Sequence, residues 1–393
     1  MSVYPKINLK KNKDQAVKRF HPWIFSGAIE NIDGNPTDGD LVKVYSNKKE
    51  FLAVGHYSPG SIAIRIISYD DIEFNQKQIH SALLDAYLLR VKLGLINNLR
   101  TNVYRLVFAE GDNLPGLIID IYDKTAVIQT HTTGMYRLIE EIKNALIKIY
   151  GKALESIYFK GSETLKSSKN IINHYLLGTP QPVICIENGI KFNVDIEQGQ
   201  KTGLFIDQRV NRKLIGKFSC NSRVLNLFSY NGAFSLFAVR YGAQLVHSVD
   251  SSRKACDWAE SNILLNDQEA GQHKVICEDA MDYIHHTEEK YDLMIIDPPA
   301  FAKHLSARHN AITAYKRLNA DALKKIESGG IIFTFSCSQV VDRNMFNSTI
   351  HSAAIESGRK IRILQQLHQS SDHPANIYFP EGEYLKGLIL YVE

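Results

Sequence analysis

Residues 222–241, S-R-V-L-N-L-F-S-Y-N-G-A-F-S-L-F-A-V-R-Y, constrain the fold more than any other stretch of the chain. An apolar run over 224–228 stops at a polar turn, passes through Gly232 and enters an apolar-rich segment. That outline predicts a buried strand, a tight turn and a helix that begins beside the turn. Gly232 carries no side chain that would keep a ligand from the backbone. Such a unit alone fits any α/β protein. The segments that follow it decide what it is for.

Residues 183–393 alternate between the two secondary-structure types. Strands are expected at 190–194, 224–227, 245–249, 275–277, 293–296, 330–336, 361–367 and 385–392, with helices at 252–265, 311–326 and 343–356. Alternation at this spacing predicts a mainly parallel sheet covered by helices on both faces. Its ligand should sit outside the carboxyl ends of the strands, at the switch point.

Acids stand where such a sheet would use them. The strand after the turn ends in Asp250, placed to accept the ribose hydroxyls of a nucleoside cofactor. The next runs into Asp279, where a carboxylate can take an adenine amino proton. Either acid alone is more often a helix cap. Turn, Asp250 and Asp279 in register are harder to explain that way. The turn is not G-x-G-x-x-G and no Walker lysine loop is present, which disfavours dinucleotides and nucleoside triphosphates. S-adenosylmethionine (SAM) fits best. Phe228, Ser229, Tyr230, Asn231 and Gly232 would line it, with Asp250, Ser251, Ser252, Asp279, Ala280 and Asp297 from the following strand ends.

The fourth strand ends I-I-D-P-P-A-F. Pro298 and Pro299 stiffen the turn and remove two backbone donors. Asp297 can then be held against a flat polar substrate, with Phe301 as a stacking face. A plain strand-to-helix turn is the blander alternative. The next strand ends F-T-F-S-C-S, which puts Cys337 on the same edge. An isolated cysteine is usually a small buried hydrophobe. At this edge a thiolate could instead add to C6 of a pyrimidine and turn C5 into a carbon nucleophile.

Upstream, residues 1–74 read as β-rich, with strands at 41–45, 51–56 and 62–67 and turns between them, suggesting a small barrel. Trp23 and Phe25 are expected in its core. Six basic side chains (Lys6, Lys10, Lys11, Lys13, Lys18, Arg19) face one acid, Asp14, within the first 20 residues, although the whole chain carries only +4. Such an edge can recruit a polyanion. Residues 75–182 read as a compact α+β unit, with helices at 79–95 and 135–150, strands at 104–109, 116–122, 126–130 and 156–159, and a turn-rich boundary over 161–182. The five cysteines show no C-x-x-C spacing, which argues against a disulfide framework or a cysteine-rich zinc site. With no apolar run of about 20 residues and no signal-like start, a cytoplasmic protein without membrane contact is expected.

With these motifs in view, the chain resembles the bacterial 23S ribosomal RNA cytosine-5 methyltransferases of the large-subunit methyltransferase I type. The matching segments are H-P-W-I-F-S-G-A-I (21–29), G-D-N-L-P-G-L-I-I-D (111–120), G-Q-K-T-G-L-F-I-D-Q-R (199–209), V-L-N-L-F-S-Y-N-G (224–232), D-P-P-A-F (297–301), F-S-C-S (335–338) and D-H-P…P-E-G-E-Y-L-K-G (372–387). The resemblance implies a PUA RNA-binding domain over 1–74, a central α+β domain over 75–182 and a Rossmann-like class I SAM-dependent methyltransferase domain over 183–393. It implies SAM as donor, Cys337 as nucleophile and Asp297 against the cytosine N3/N4 edge. Phe205, Asp207, Gln208 and Arg209 would close over the cofactor, although from sequence Asp207 and Arg209 could equally form a surface ion pair. Pro298, Pro299 and Phe301 would meet the base, and Lys10, Lys11 and Arg19 the surrounding 23S RNA. The sequence says little about oligomeric state and leaves a homodimer open.

Two departures stand out. The family's turn usually reads F-S-Y-T-G-G, against Asn231 and Ala233 here. The additional cysteine that other RNA cytosine-5 methyltransferases carry in the fourth-strand motif is absent, its place taken by Pro298–Pro299. Two further readings stay open at this point: methylation of a base nitrogen, which needs no cysteine, and a non-catalytic RNA-binding or ribosome-assembly factor.

Overall fold

The computed structural model describes residues 4–165, 171–266 and 272–393. The chain divides into two compact units. One comprises Met1–Val183, Val194–Gly203 and Ser371–Gly382, the other Ile184–Asn193, Leu204–Ser370 and Glu383–Glu393.

The first unit contains two sheets. The N-terminal one has six strands, in the order Trp23–Phe25, Ile62–Ser68, Phe51–Tyr57, Leu41–Tyr45, Lys6–Leu9, Ile29–Asp33. Its two end strands are consecutive in the chain, joined only by the 3₁₀ turn Ser26–Ala28. Three residues span at most about 11 Å, so the sheet has to roll toward a barrel. Ile7, Leu9, Ile24, Val42, Val44 and Ile64 fill the interior. Trp23 is half-buried and its indole N–H donates to Glu110 at 2.8 Å, whereas Phe25, expected in the core, is 50% exposed.

The second sheet has five strands, in the order His174–Leu177, Ser156–Phe159, Thr125–Thr130, Leu117–Tyr122, Val103–Phe108. His174–Leu177 lies in what reads from sequence as a turn-rich boundary and pairs antiparallel with Ser156–Phe159. The helix expected over 135–150 is broken: Thr133–Arg137 ends and Ile139–Tyr150 starts about Leu138. Two buried ion pairs cross-link this region. Arg90 forks onto Asp112 at 2.5 and 2.8 Å, and Arg105 onto Asp120 at 2.8 and 2.7 Å. Asp372 joins both, taking the Arg90 guanidinium on its carbonyl and the Arg105 N–H on its carboxylate. The motifs G-D-N-L-P-G and D-H-P, far apart in sequence, thus share one network.

In the second unit, besides the two-stranded pair Val183–Glu187 and Ile190–Val194, the strands are β1 (Arg223–Leu227), β2 (Leu245–Asp250), β3 (His273–Cys277), β4 (Tyr291–Ile296), β5 (Ile326–Ser336), β6 (Ile361–Leu367) and β7 (Lys386–Val392). The helices are α1 (Arg209–Ile215), α2 (Ala233–Arg240), α3 (Arg253–Leu265), α4 (Ala280–His286), α5 (Arg308–Lys325) and α6 (Arg343–Ser357). The sheet order is β3-β2-β1-β4-β5-β7-β6. The first five strands run parallel, and β7 inserts antiparallel between β5 and β6. Leu225, Leu227, Val249, Met294, Ile296 and Ile332 are fully buried, as expected for a parallel sheet covered on both faces. The strand order reverses between β1 and β4, the place where such sheets bind ligands. Among the described residues no helix is long and apolar enough to cross a membrane.

Candidate active site

The turn after β1 is held in an uncommon conformation. Phe228, Tyr230 and Gly232 all take positive φ, at 58°, 48° and 75°. Left-handed backbone costs a non-glycine residue roughly 1–2 kcal/mol, so the surroundings must impose it. They do so through hydrogen bonds. The Ser229 N–H donates to the Val249 carbonyl at 3.0 Å, the Tyr230 N–H to Asp250 Oδ2 at 2.9 Å, and the Gly232 N–H to the Ser229 carbonyl at 2.9 Å. The Asn262 side-chain amide donates to the Asn231 carbonyl. The Tyr230 ring is wedged edge-on between Phe205 and Trp258, with centroids 5.2 and 5.6 Å away.

Gly232 is needed here for a reason other than ligand approach. A Cβ at this position would lie 3.0 Å from the Ala259 Cβ of α3, on a backbone that L side chains rarely adopt. The glycine therefore serves the helix start and the packing of α2 on α3. Ser229 Oγ is buried and has no hydrogen-bond partner among the described residues, and a buried hydroxyl without a partner is costly.

Each strand-end acid also has a structural task. Asp250 ends β2 and takes N–H donors on both oxygens, from Tyr230 and from Ser252 at 2.9 Å. Ser252 caps α3 through Ala255. Asp279 caps α4, taking the Met281 and Asp282 N–H groups on Oδ1 at 2.8 and 3.2 Å. A carboxylate has about four acceptor positions, so capping leaves capacity on both acids. Ala280, just inside α4, is buried.

The other half of the edge belongs to β4, β5 and β7. Asp297 follows β4 and accepts from Gln208 Nε2 at 3.0 Å; Gln208 is in turn fixed by Asn211 at 2.7 Å. Cys337 follows β5, and its Sγ lies 4.0 Å from the Pro298 carbonyl oxygen. The D-P-P turn and the cysteine, 39 residues apart, thus meet. Pro298 is buried and Pro299 exposed. Phe301 is half-buried, with its ring 4.7 Å from Tyr315 and 6.4 Å from Phe228, so part of its surface is spent on packing.

Asp207 and Arg209, at 6% and 5% exposed, are buried and do not lie on the surface. Asp207 takes the Tyr384 hydroxyl on its carboxylate and the Ser370 N–H and hydroxyl on its carbonyl. Nearby, Arg212 forks onto Glu187 at 2.7 and 2.6 Å with both groups buried, and steadies the Phe205 carbonyl at 2.8 Å. Residues 204–209 are thus locked into the second unit. Lys10, Lys11 and Arg19 belong to the first unit and are exposed on it, with the Lys10 ammonium reaching the Gly27 carbonyl at 3.1 Å.

Sequence reasoning passed over Ser338, Tyr384 and Lys386. Lys386 is the first residue of β7, 4% exposed, and donates to the carbonyls of Ser338 and Tyr384, both at 2.7 Å. A lysine heading the apolar run G-L-I-L-Y-V was the available signal.

The SAM assignment fits this arrangement. The orphaned Ser229 hydroxyl, the imposed turn and the acceptor capacity of Asp250 and Asp279 provide polar groups where a nucleoside would need them.

Comparison with known proteins agrees. A PUA-like domain matches residues 7–69, and an S-adenosylmethionine-dependent methyltransferase domain matches 166–351. A relative from Aeromonas salmonicida, named ribosomal RNA large subunit methyltransferase I, is 38% identical over 99% of both chains. Among solved structures, a candidate SAM-dependent methyltransferase from Streptococcus mutans superposes with a TM-score of 0.85 at 24% identity, over 98% of this chain and 100% of its own. A second, described as a methyltransferase complexed with SAH, gives the same figures. These structural likenesses bear on the fold. The sequence identity bears on the family.

Proposed function

The chain belongs to the ribosomal RNA large subunit methyltransferase I family, and on that premise we propose that it methylates C5 of a cytosine in 23S ribosomal RNA through a transient Cys337–C6 bond. The observation that carries this reading is the meeting of Cys337 with the D-P-P turn, Sγ 4.0 Å from the Pro298 carbonyl. A methyltransferase acting on a base nitrogen has no need of a thiol there.

When bound, SAM supplies an electrophilic methyl group. Ser229, Asp250 and Asp279 are the polar groups to hold it, with Phe205, Asp207, Gln208 and Arg209 alongside. The target base is extruded from its stack, as enzymes acting on bases require. The Cys337 thiolate adds to C6, and the electron pair of the C5–C6 double bond shifts to give C5 carbanion character. Asp297 accepts a hydrogen bond from the exocyclic N4 amino group and fixes the ring. Once C5 has gained its methyl group it loses H5 to a base, and the electrons released re-form the double bond and expel the Cys337 thiolate. The H5 proton leaves on that base as the one proton the overall reaction releases, and the thiolate is recovered unchanged.

The first unit supplies RNA contacts. The PUA-like sheet with exposed Lys10, Lys11 and Arg19 reads as a surface for phosphates, used in addition to base recognition. We assign RNA binding to residues 1–74 and chemistry to 183–393, with 75–182 as a central α+β domain.

Replacing Cys337 by Ala tests the reading. In nucleoside mass spectrometry, wild-type protein should convert cytidine in 23S RNA to 5-methylcytidine and Cys337→Ala should yield none, a loss of at least about a thousandfold for a missing nucleophile. SAM affinity by calorimetry should be unchanged. Retained C5 methylation in the variant, or a product methylated on nitrogen, would overturn it.

A further inference from the structure

Lys386 is a buried basic side chain that forms no ion pair with a carboxylate among the described residues. In the antiparallel ladder it stands opposite Ser336, the last residue of β5, so it flanks the strand end that carries Cys337. Its Nζ is fixed by two carbonyls, from Ser338, the residue after Cys337, and from Tyr384. Two N–H bonds are thereby committed and one position on nitrogen is left. Burial drives its pKa down to about 8, and the foremost charge favouring its protonated form is Cys337; Arg343 opposes protonation, while Asp342 and Glu383 act more weakly. Those two acids are engaged elsewhere. Glu383 pairs with Arg343 at 2.6 Å, and Asp342 caps α6 through the Met345 N–H.

Burying an ammonium without an anion is expensive, and natural proteins seldom leave one so. We propose that Lys386 is the counter-ion of Cys337: its neutral amine takes the thiol proton, giving a thiolate–ammonium pair that faces the substrate. The S–H bond breaks, its electrons stay on sulfur, and the proton becomes the third N–H of Lys386 while the two bonds to carbonyls persist. When the adduct later collapses, the expelled thiolate returns to the same ammonium. Lys386 acts here as a positioning residue, through the sulfur. This inference rests on Cys337 being the nucleophile, but its test does not require methyl transfer.

The test is the pH dependence of iodoacetamide alkylation in the full-length protein, read peptide by peptide by mass spectrometry. Exposed Cys220 serves as the internal reference. In wild-type protein Cys337 should reach half its maximal rate at least about one pH unit below Cys220, because a neighbouring cation lowers a thiol pKa. In Lys386→Met the profile should move up by about one unit, which is about tenfold slower labelling at neutral pH. Lys386→Arg, which keeps the charge, should restore the early profile. Unchanged SAM binding establishes that Lys386→Met is folded. Should that variant not fold, the comparison of Cys337 with Cys220 in wild-type protein decides alone.

A Cys337 that titrates with or above Cys220, or a folded Lys386→Met with an unmoved profile, overturns the pairing. The two proposals fail separately. An early, lysine-dependent thiolate beside a nitrogen-methylated product sinks only the C5 reading, and 5-methylcytidine from an ordinary thiol sinks only the pair.

Discussion

The carboxyl edge of the seven-stranded sheet is built in two different ways. On the side of β1, β2 and β3 the main chain dominates. A turn with three left-handed residues is held by backbone donors, and the acids closing the strands double as caps. On the side of β4, β5 and β7 the chemistry rests on side chains: Asp297 on Gln208, Cys337 beside Pro298, Lys386 between two carbonyls. On the function proposed above, the first half is the one to recognise a nucleoside of constant shape, which fixed backbone can do. The second must change protonation and bonding during a reaction, which needs titratable groups. Loss of a side chain should therefore affect binding on one half and chemistry on the other.

The largest effect on the binding half should come from Asp250→Ala. It removes the acceptor for the Tyr230 and Ser252 N–H groups and, on the proposed reading, for the ribose. Hydrogen bonds to a charged acceptor contribute about 1.5–3 kcal/mol each, so SAM affinity by calorimetry should fall at least about a hundredfold. RNA affinity should hold. A variant that bound SAM normally but lost methyl transfer would place Asp250 with the chemistry and break the division.

Gly232→Ala should have an intermediate effect and act on stability first. The positive φ and the approach to Ala259 both oppose a methyl group, costing about 1–3 kcal/mol in denaturant unfolding. Gly232→Ala combined with Ala259→Gly should recover the steric part and keep the conformational part. Full recovery in the double variant would mean that φ at this turn is not constrained, and that the backbone is less decisive here than the geometry implies.

The same division explains what could be read in the sequence. The β1 turn, Asp250 and Asp279 are separated by regular strand–helix intervals, so periodicity alone puts them on one edge. Cys337 and Asp297 were also legible, because each closes a parallel strand. Lys386 was not. It comes beside the end of β5 only because β7 runs antiparallel beside that strand in the register Ser336 to Lys386, and the pairing of distant strands leaves no mark in local pattern. Gly387 permits that approach, since a Cβ there would meet the Phe335 ring at 2.5 Å. The roles of Asp207 and Arg209 were hidden for a related reason. A charged residue between regular elements reads as surface until its distant neighbours, Tyr384 in the case of Asp207, are placed beside it. His174–Leu177 was missed because a four-residue strand among polar turns has too little apolar pattern to register.

The smallest predicted effect is the sharpest test of the main-chain half. Ser229 Oγ is buried in the turn with no partner among the described residues, so its hydroxyl contributes nothing to folding that a methyl group would not. Removing a buried hydroxyl that makes no hydrogen bond is close to neutral or mildly stabilising. Ser229→Ala should therefore leave the denaturant midpoint within about 0.5 kcal/mol of wild type. If the bound nucleoside supplies the missing partner, SAM affinity should nevertheless fall about three- to tenfold, the contribution of one neutral hydrogen bond. Stability and affinity would then move independently at one residue, which a purely structural serine cannot produce. Unchanged SAM affinity would instead mean that the turn holds its ligand through backbone and acids alone, and that the two halves of the edge differ even more than the geometry shows.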